Sequence, residues 1–206
     1  MGGGSVEIAG VSNVRSIGAL RAHGGRRLRP GLLLRSGHLG LLNEEGYAKM
    51  VELGIASVVD LRSLREGKVA PDAPWVKRGT RHLTLDLPEV LPSDAGSFLR
   101  MLDALEPKLA QLFAHLGSPG ALPVLVHCGS GKGRACVGVA VVLLALGVST
   151  TDVARDFAEN QAGEVDPHLL DGLFERVAAA GGVEAYLKRH SVSPSDVERL
   201  RAQALE

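Results

Sequence analysis

The chain has 206 residues, and its 23 lysines and arginines balance 23 aspartates and glutamates to a formal net charge of zero. That balance, with a pI near 7.1, excludes a surface built for nucleic acid or a polybasic membrane anchor. Aromatics make up 3% of residues, too few for a base-stacking platform, and two cysteines are too few for a disulfide framework.

Met1 to Ser5 lacks the apolar core of a signal peptide. It reads as a flexible leader or a remnant of expression engineering, ahead of a single domain over residues 6–206. Leu32 to Leu34 is a short apolar strand ending at Arg35-Ser36-Gly37. Asn43 is placed to cap a helix from Glu44 to Leu53, with Gly54 at its end. Ile55 to Leu61 predicts a buried strand, and Arg81 to Leu85 a further one. Ser97 to Leu116 repeats apolar residues at helical spacing, from Phe98 through Leu102, Leu105 and Leu109 to Leu112.

Leu122 to Val126 reads as a buried strand, and Ala135 to Val148 as a buried helix too short to span a bilayer. Thr150 to Asn160 and Pro167 to Ala180 predict two more helices. Ser193 is placed to cap the last helix, with Pro194 at its first position. The expected fold class is α/β: a three-layer domain with a largely parallel central sheet flanked by helices, and a helical C-terminal end. Ligands of such sheets lie at the carboxyl ends of the strands.

The segment His127-Cys128-Gly129-Ser130-Gly131-Lys132-Gly133-Arg134 sits at such an end, between the strand and the buried helix. Its glycines allow the backbone to turn several N–H groups inward, a nest for an anion. The helix adds its positive N-terminal end, and Arg134 a planar fork for two phosphate oxygens. The same positive field favours the thiolate of Cys128. Cys128 and Arg134 are therefore the candidate catalytic residues, and Gly129, Ser130, Gly131, Lys132, Gly133 and Arg134 the candidate phosphate cradle. This combination suits covalent phosphoryl transfer through a thiophosphate intermediate.

The segment resembles the Cys-x5-Arg signature of the protein tyrosine phosphatase superfamily. Three further runs resemble one bacterial branch of it, which acts on phosphotyrosine and phosphoinositides and includes a secreted mycobacterial enzyme. They are Asn13 to Gly18, Leu34 to Leu39 followed by Leu53 to Ile55 and Val59 to Ser63, and Tyr186 to Leu200, so the likeness covers nearly the whole chain. It implies a cysteine-dependent phosphatase acting on phosphotyrosine, phosphoserine/threonine or phosphoinositides.

Departures from that branch carry their own expectations. Gly133 replaces its aspartate, as in the eukaryotic phosphoinositide phosphatase related to tensin, while Lys132 is kept. Ala135 stands where the family has a Ser or Thr whose hydroxyl bonds to the thiolate, which implies slower hydrolysis of the intermediate. The family draws its general acid from the loop after an earlier strand, here Asp86 to Asp94. Pro88-Glu89 resembles the family's Pro-Asp pair and puts Glu89 in that role, while Asp86, nearer the strand end, competes for it.

Arg15, Arg35, Asp60 and Arg62 read as a buried ion-pair network that holds loops, with Arg62 on the substrate phosphate as the lesser reading. His127 is expected to orient the loop. The histidines show no ligand spacing, so neither a metal nor another cofactor is expected. The expected partner is a phosphorylated protein or a phosphoinositide, with no nucleic acid and no integral membrane segment. The oligomeric state is open. The expected compartment is the reducing cytoplasm, with export by a route that needs no signal peptide left open. Two alternatives stand beside the enzyme: a slow-turnover phosphate-binding module, and, more weakly, a rhodanese-like sulfur carrier.

Overall fold

The computed structural model describes residues 4–74, 76–159 and 166–206, with the side chains of Lys77 and Arg78 set aside. Six strands among these residues form one sheet: β1 (Gly4–Ser5), β2 (Arg15–Ser16), β3 (Leu33–Ser36), β4 (Ser57–Asp60), β5 (Arg81–Thr84) and β6 (Val124–His127). Their spatial order is β1-β2-β3-β6-β4-β5. The four strands from β3 to β5 are parallel, and β1 and β2 add an antiparallel edge. The largely parallel α/β expectation therefore holds.

Side chains alternate across this sheet and meet helices on both faces, which makes three layers. Leu33, Val59, Val124 and Val126 belong to one apolar cluster, while Leu34, Val58 and Leu125 belong to the other. The smaller cluster takes Met50 from α1 (Glu44–Glu52) and Val76 from α3 (Val76–Gly79). The larger takes α4 (Ala95–Leu105), α5 (Leu109–Leu116) and α6 (Arg134–Ala145). All twelve residues of α6 are buried, so it runs through the core rather than along the surface. Each fully buried Val or Leu there contributes about 1.5–3 kcal/mol.

The remaining helices are α2 (Leu64–Val69), α7 (Thr150–Ala158), α8 (Asp171–Ala180), α9 (Val183–Arg189) and α10 (Pro194–Ala204). They complete the helical C-terminal end. Asn43 caps α1, its side chain accepting from the Gly46 amide at 2.9 Å.

Several expectations change. Gly4 and Ser5 pair with Ser16 and Arg15, so the end of the expected leader is an edge strand; residues 1–3 lie outside the described set. The segment Ser97 to Leu116 is two helices, because Pro107 lacks an amide hydrogen and tightens the chain into a 3-10 turn at Glu106–Lys108. The helix expected from Pro167 begins as another 3-10 turn and becomes α-helical at Asp171. Ser193 does not cap α10: its hydroxyl meets the Ser195 hydroxyl at 2.9 Å instead. Asn160, the expected end of α7, lies outside the described residues.

Candidate active site

β6 is flanked by β3 and β4 at the sheet centre, so its carboxyl end opens between two neighbours. Cys128 follows it directly and is buried. Its Sγ accepts a hydrogen bond from the Gly131 amide at 3.3 Å, so the loop does turn an N–H toward the sulfur. Gly131 has φ +76°, and a Cβ there would sit 2.6 Å from the Ser36 carbonyl carbon, so only glycine lets the loop press against β3. At Gly133 a Cβ would lie 2.7 Å from Cε of the Met101 side chain on α4, so a larger residue would have to displace that flexible tip. Lys132 is half-buried, and Ser130 is exposed at the loop tip.

Other segments brace the loop. Asn13, at φ +53°, donates from Nδ2 to the Ser130 carbonyl at 2.7 Å. The His38 amide donates to the Gly129 carbonyl at 3.0 Å. Arg35 Nη1 lies 3.2 Å from Cys136 Sγ, and that thiol donates to the Gly131 carbonyl at 3.3 Å. Both cysteines are buried thiols outside any disulfide.

Arg134 opens α6 and is 5% exposed. Glu66, on α2, grips it at two points, with Oε2 2.6 Å from Nη1 and Oε1 2.6 Å from Nη2. Nη1 also donates to the carbonyls of Leu87 and Pro88, at 3.2 and 3.4 Å. Burial alone would push the Glu66 carboxyl up. The Arg134 hydrogen bonds and those from Ser63 outweigh it and hold the carboxyl down at about 2. Burial alone would lower the Arg134 pKa, but Glu66 and the negative groups around it raise it.

A cavity of about 380 Å³ opens over the loop, lined by Gly129, Glu66, Glu89, His38, Arg62 and Arg65 among others. Glu89 thus faces the same space as the loop. Asp86 does not line that cavity: at φ +50° it turns its carboxylate to accept from the Leu64 amide at 2.8 Å, tying down the start of α2.

The charged residues near strand ends form the expected network. Arg62 Nη2 lies 2.7 Å from Asp60 Oδ2 and 2.7 Å from Asp72 Oδ1, all buried. Arg15 Nε bonds to Asp156 at 3.3 Å, and Arg35 Nη2 donates to the Asp156 carbonyl at 3.4 Å.

The sequence reading missed Glu66. Its signal was the pair Ser63 and Glu66, whose reciprocal hydrogen bonds form a capping box at the start of α2. That box fixes the carboxylate where Arg134 arrives from 68 residues away.

With this geometry in place, comparison with known proteins gives the class. Residues 6–206 match the tyrosine phosphatase family, and the chain belongs to it. Triple specificity protein phosphatase PtpB of Mycobacterium tuberculosis is 31% identical over 191 residues, covering 73% of this chain and 67% of PtpB. A protein of Cupriavidus necator described as a tyrosine-protein phosphatase is 28% identical over 167 residues. That match spans 73% of this chain and 60% of the Cupriavidus protein. The solved structure of Tk-PTP in its active form is 24% identical and covers 71% of this chain and 93% of its own, with a TM-score of 0.41. No helix among the described residues is long and apolar enough to cross a membrane.

Proposed function

We propose that the chain is a cysteine-dependent phosphatase that hydrolyses phosphate monoesters. The carrying observation is one loop with Cys128 at its start, an amide aimed at the sulfur, and a clamped Arg134 at its end. Cys128 Sγ attacks phosphorus, forming the S–P bond as the P–O bond to the leaving group breaks. The loop amides and Arg134 hold the equatorial oxygens. Glu66 takes one Nη1 and one Nη2 hydrogen, which leaves Arg134 Nε and the other Nη2 hydrogen as a lateral fork for phosphate.

Glu89 gives its proton to the leaving oxygen, a role supported by its place on the cavity wall and by Asp86 being engaged at α2. Water then attacks phosphorus, the S–P bond breaks, and Glu89 takes the water's proton. The substrates are phosphorylated proteins, phosphotyrosine first, with phosphoserine/threonine and phosphoinositides within reach of a cavity that also carries Arg62 and Arg65. Two buried cysteines held as thiols suit a reducing cytoplasm.

The test is phosphate release from a panel of phosphopeptides and phosphoinositides. Hydrolysis blocked by vanadate and abolished in Cys128→Ser is expected; hydrolysis that persists in Cys128→Ser removes the nucleophile. Ala135, buried at the start of α6, favours a second reading in which phosphate is bound and turned over slowly. A burst of leaving group without steady-state phosphate release would select that reading.

A further inference from the structure

Three side chains far apart in sequence converge beside the base of the loop. Asp72, His82 and His127 each offer one donor atom, and those atoms lie within 4.8 Å of one another. Asp72 Oδ2 stands 3.4 Å from His82 Nε2 and 3.4 Å from His127 Nε2. His127 is fully buried, and neither of its ring nitrogens has a hydrogen-bond partner among the described residues. Its Nε2 lies 3.4 Å from Asp72 Oδ2 without hydrogen-bond geometry and 3.7 Å from Asp60 Oδ1, beyond hydrogen-bond reach. A buried imidazole in that condition keeps its full desolvation cost.

We propose that Asp72, His82 and His127 form a zinc-binding site, separate from the Cys128 loop and outside the proposed chemistry. The two spacings from Asp72 Oδ2 support zinc, and the two histidine donors lie within 4.8 Å of each other. Donors about 2.0–2.1 Å from a tetrahedral zinc ion lie about 3.3–3.4 Å apart, whereas an octahedral magnesium shell at similar distances sets them at about 2.9–3.0 Å. Two imidazoles and one carboxylate also suit zinc better than magnesium or calcium.

The charge supports a cation as well. Asp60 and Asp72 share the single guanidinium of Arg62, so with neutral imidazoles this buried group carries one negative charge in excess. Arg62 holds Asp72 Oδ1 at 2.7 Å and so turns Oδ2 toward the histidines, the part that an outer hydrogen bond plays for a ligating carboxylate. A cavity of about 200 Å³ adjoins the cluster, lined by Asp72, His82, Asp60 and Thr84, with Lys68 among its other walls. It leaves room for water as the fourth ligand. Positions 72, 82 and 127 have no ligand spacing: β5 and β6, on either side of β4, bring His82 and His127 together, and Arg62 holds Asp72, from the segment between α2 and α3, beside them.

The test is a titration of chelator-stripped full-length protein with Zn²⁺, and separately with Co²⁺, without substrate. One equivalent is expected to bind to wild type and to Cys128→Ser alike. Cobalt is expected to show the intense visible bands of a tetrahedral ion without a thiolate charge-transfer band. His82→Ala is expected to weaken binding at least 100-fold and to abolish the zinc-induced rise in melting temperature. His82 is only partly buried, at the sheet edge on β5, and His82→Gln is the second variant should the alanine fail to fold. Absence of a stoichiometric site, binding unchanged in both His82 variants, or binding lost in Cys128→Ser would each overturn the proposal. None of these outcomes bears on the phosphatase reading, because no turnover is measured.

Discussion

Glu66 places its two carboxylate oxygens 2.6 Å from the two terminal nitrogens of Arg134, joining α2 to the residue that opens α6. The clamp is itself anchored, since Ser63 donates to Glu66 Oε2 from both its amide and its hydroxyl at 2.9 Å. Glu66 therefore acts as a positioning residue for the arginine.

Replacing it by glutamine keeps the shape but loses the charge and half of the bidentate match. Glu66→Gln is expected to lower kcat/KM for an aryl phosphate roughly 10–100-fold, the scale of a displaced catalytic group. Vanadate affinity should fall in parallel, because the same fork binds both. Steady-state kinetics with vanadate inhibition checks this, and unchanged vanadate affinity would contradict it.

The clamp also fixes an acid dependence of stability. The folded-state Glu66 carboxyl titrates at about 2, below its ordinary 4.5. A depressed carboxylate stabilises the fold fully above the ordinary value and loses that contribution as pH falls toward the folded one. Urea melts of wild type and Glu66→Gln between about pH 6 and pH 2 should show a stability gap that is widest at the upper end. It should shrink progressively below about pH 4.5.

Glu89 and Asp86 separate cleanly by readout. Glu89→Gln is expected to cut kcat roughly 10²-fold or more on substrates with poor leaving groups, and less on activated aryl phosphates. Asp86→Ala removes the carboxylate that accepts from the Leu64 amide, so it should cost about 1 kcal/mol of stability. Its rate loss should not depend on the leaving group. A leaving-group series on both variants decides which carboxyl is the acid.

Ala135 is buried at the start of α6, where the family resemblance puts a hydroxyl bonded to the thiolate, and serine there would restore that hydroxyl. A hydrogen bond to a charged group is worth about 1.5–3 kcal/mol, so Ala135→Ser is expected to raise the rate of intermediate hydrolysis by roughly 10–150-fold. Pre-steady-state assays should show a smaller burst and a faster steady state in the variant.

The centre of the fold was legible because β6 and α6 are mostly apolar runs on either side of a glycine-rich turn, a pattern that marks both elements. The edge was not: β1 and β2 are two residues each and carry no periodicity. The break at Pro107 was visible as a residue but masked by the continuous apolar spacing around it. Ser193 has the right identity for a cap, yet a neighbouring hydroxyl captured it. In the site, Cys128, Arg134 and the loop glycines are contiguous and could be read directly. Glu66 and the Asp72, His82 and His127 cluster depend on strand order, which no local spacing encodes.

The central claim is that the sulfur at position 128 carries the phosphoryl group during turnover. Acid-quenching wild-type protein during the burst on an aryl phosphate, followed by peptide mass analysis, tests it most directly. The account predicts one phosphoryl adduct on the peptide containing Cys128, absent from Cys128→Ser. Rapid turnover with no adduct on that peptide, or with the adduct on another residue, would contradict it.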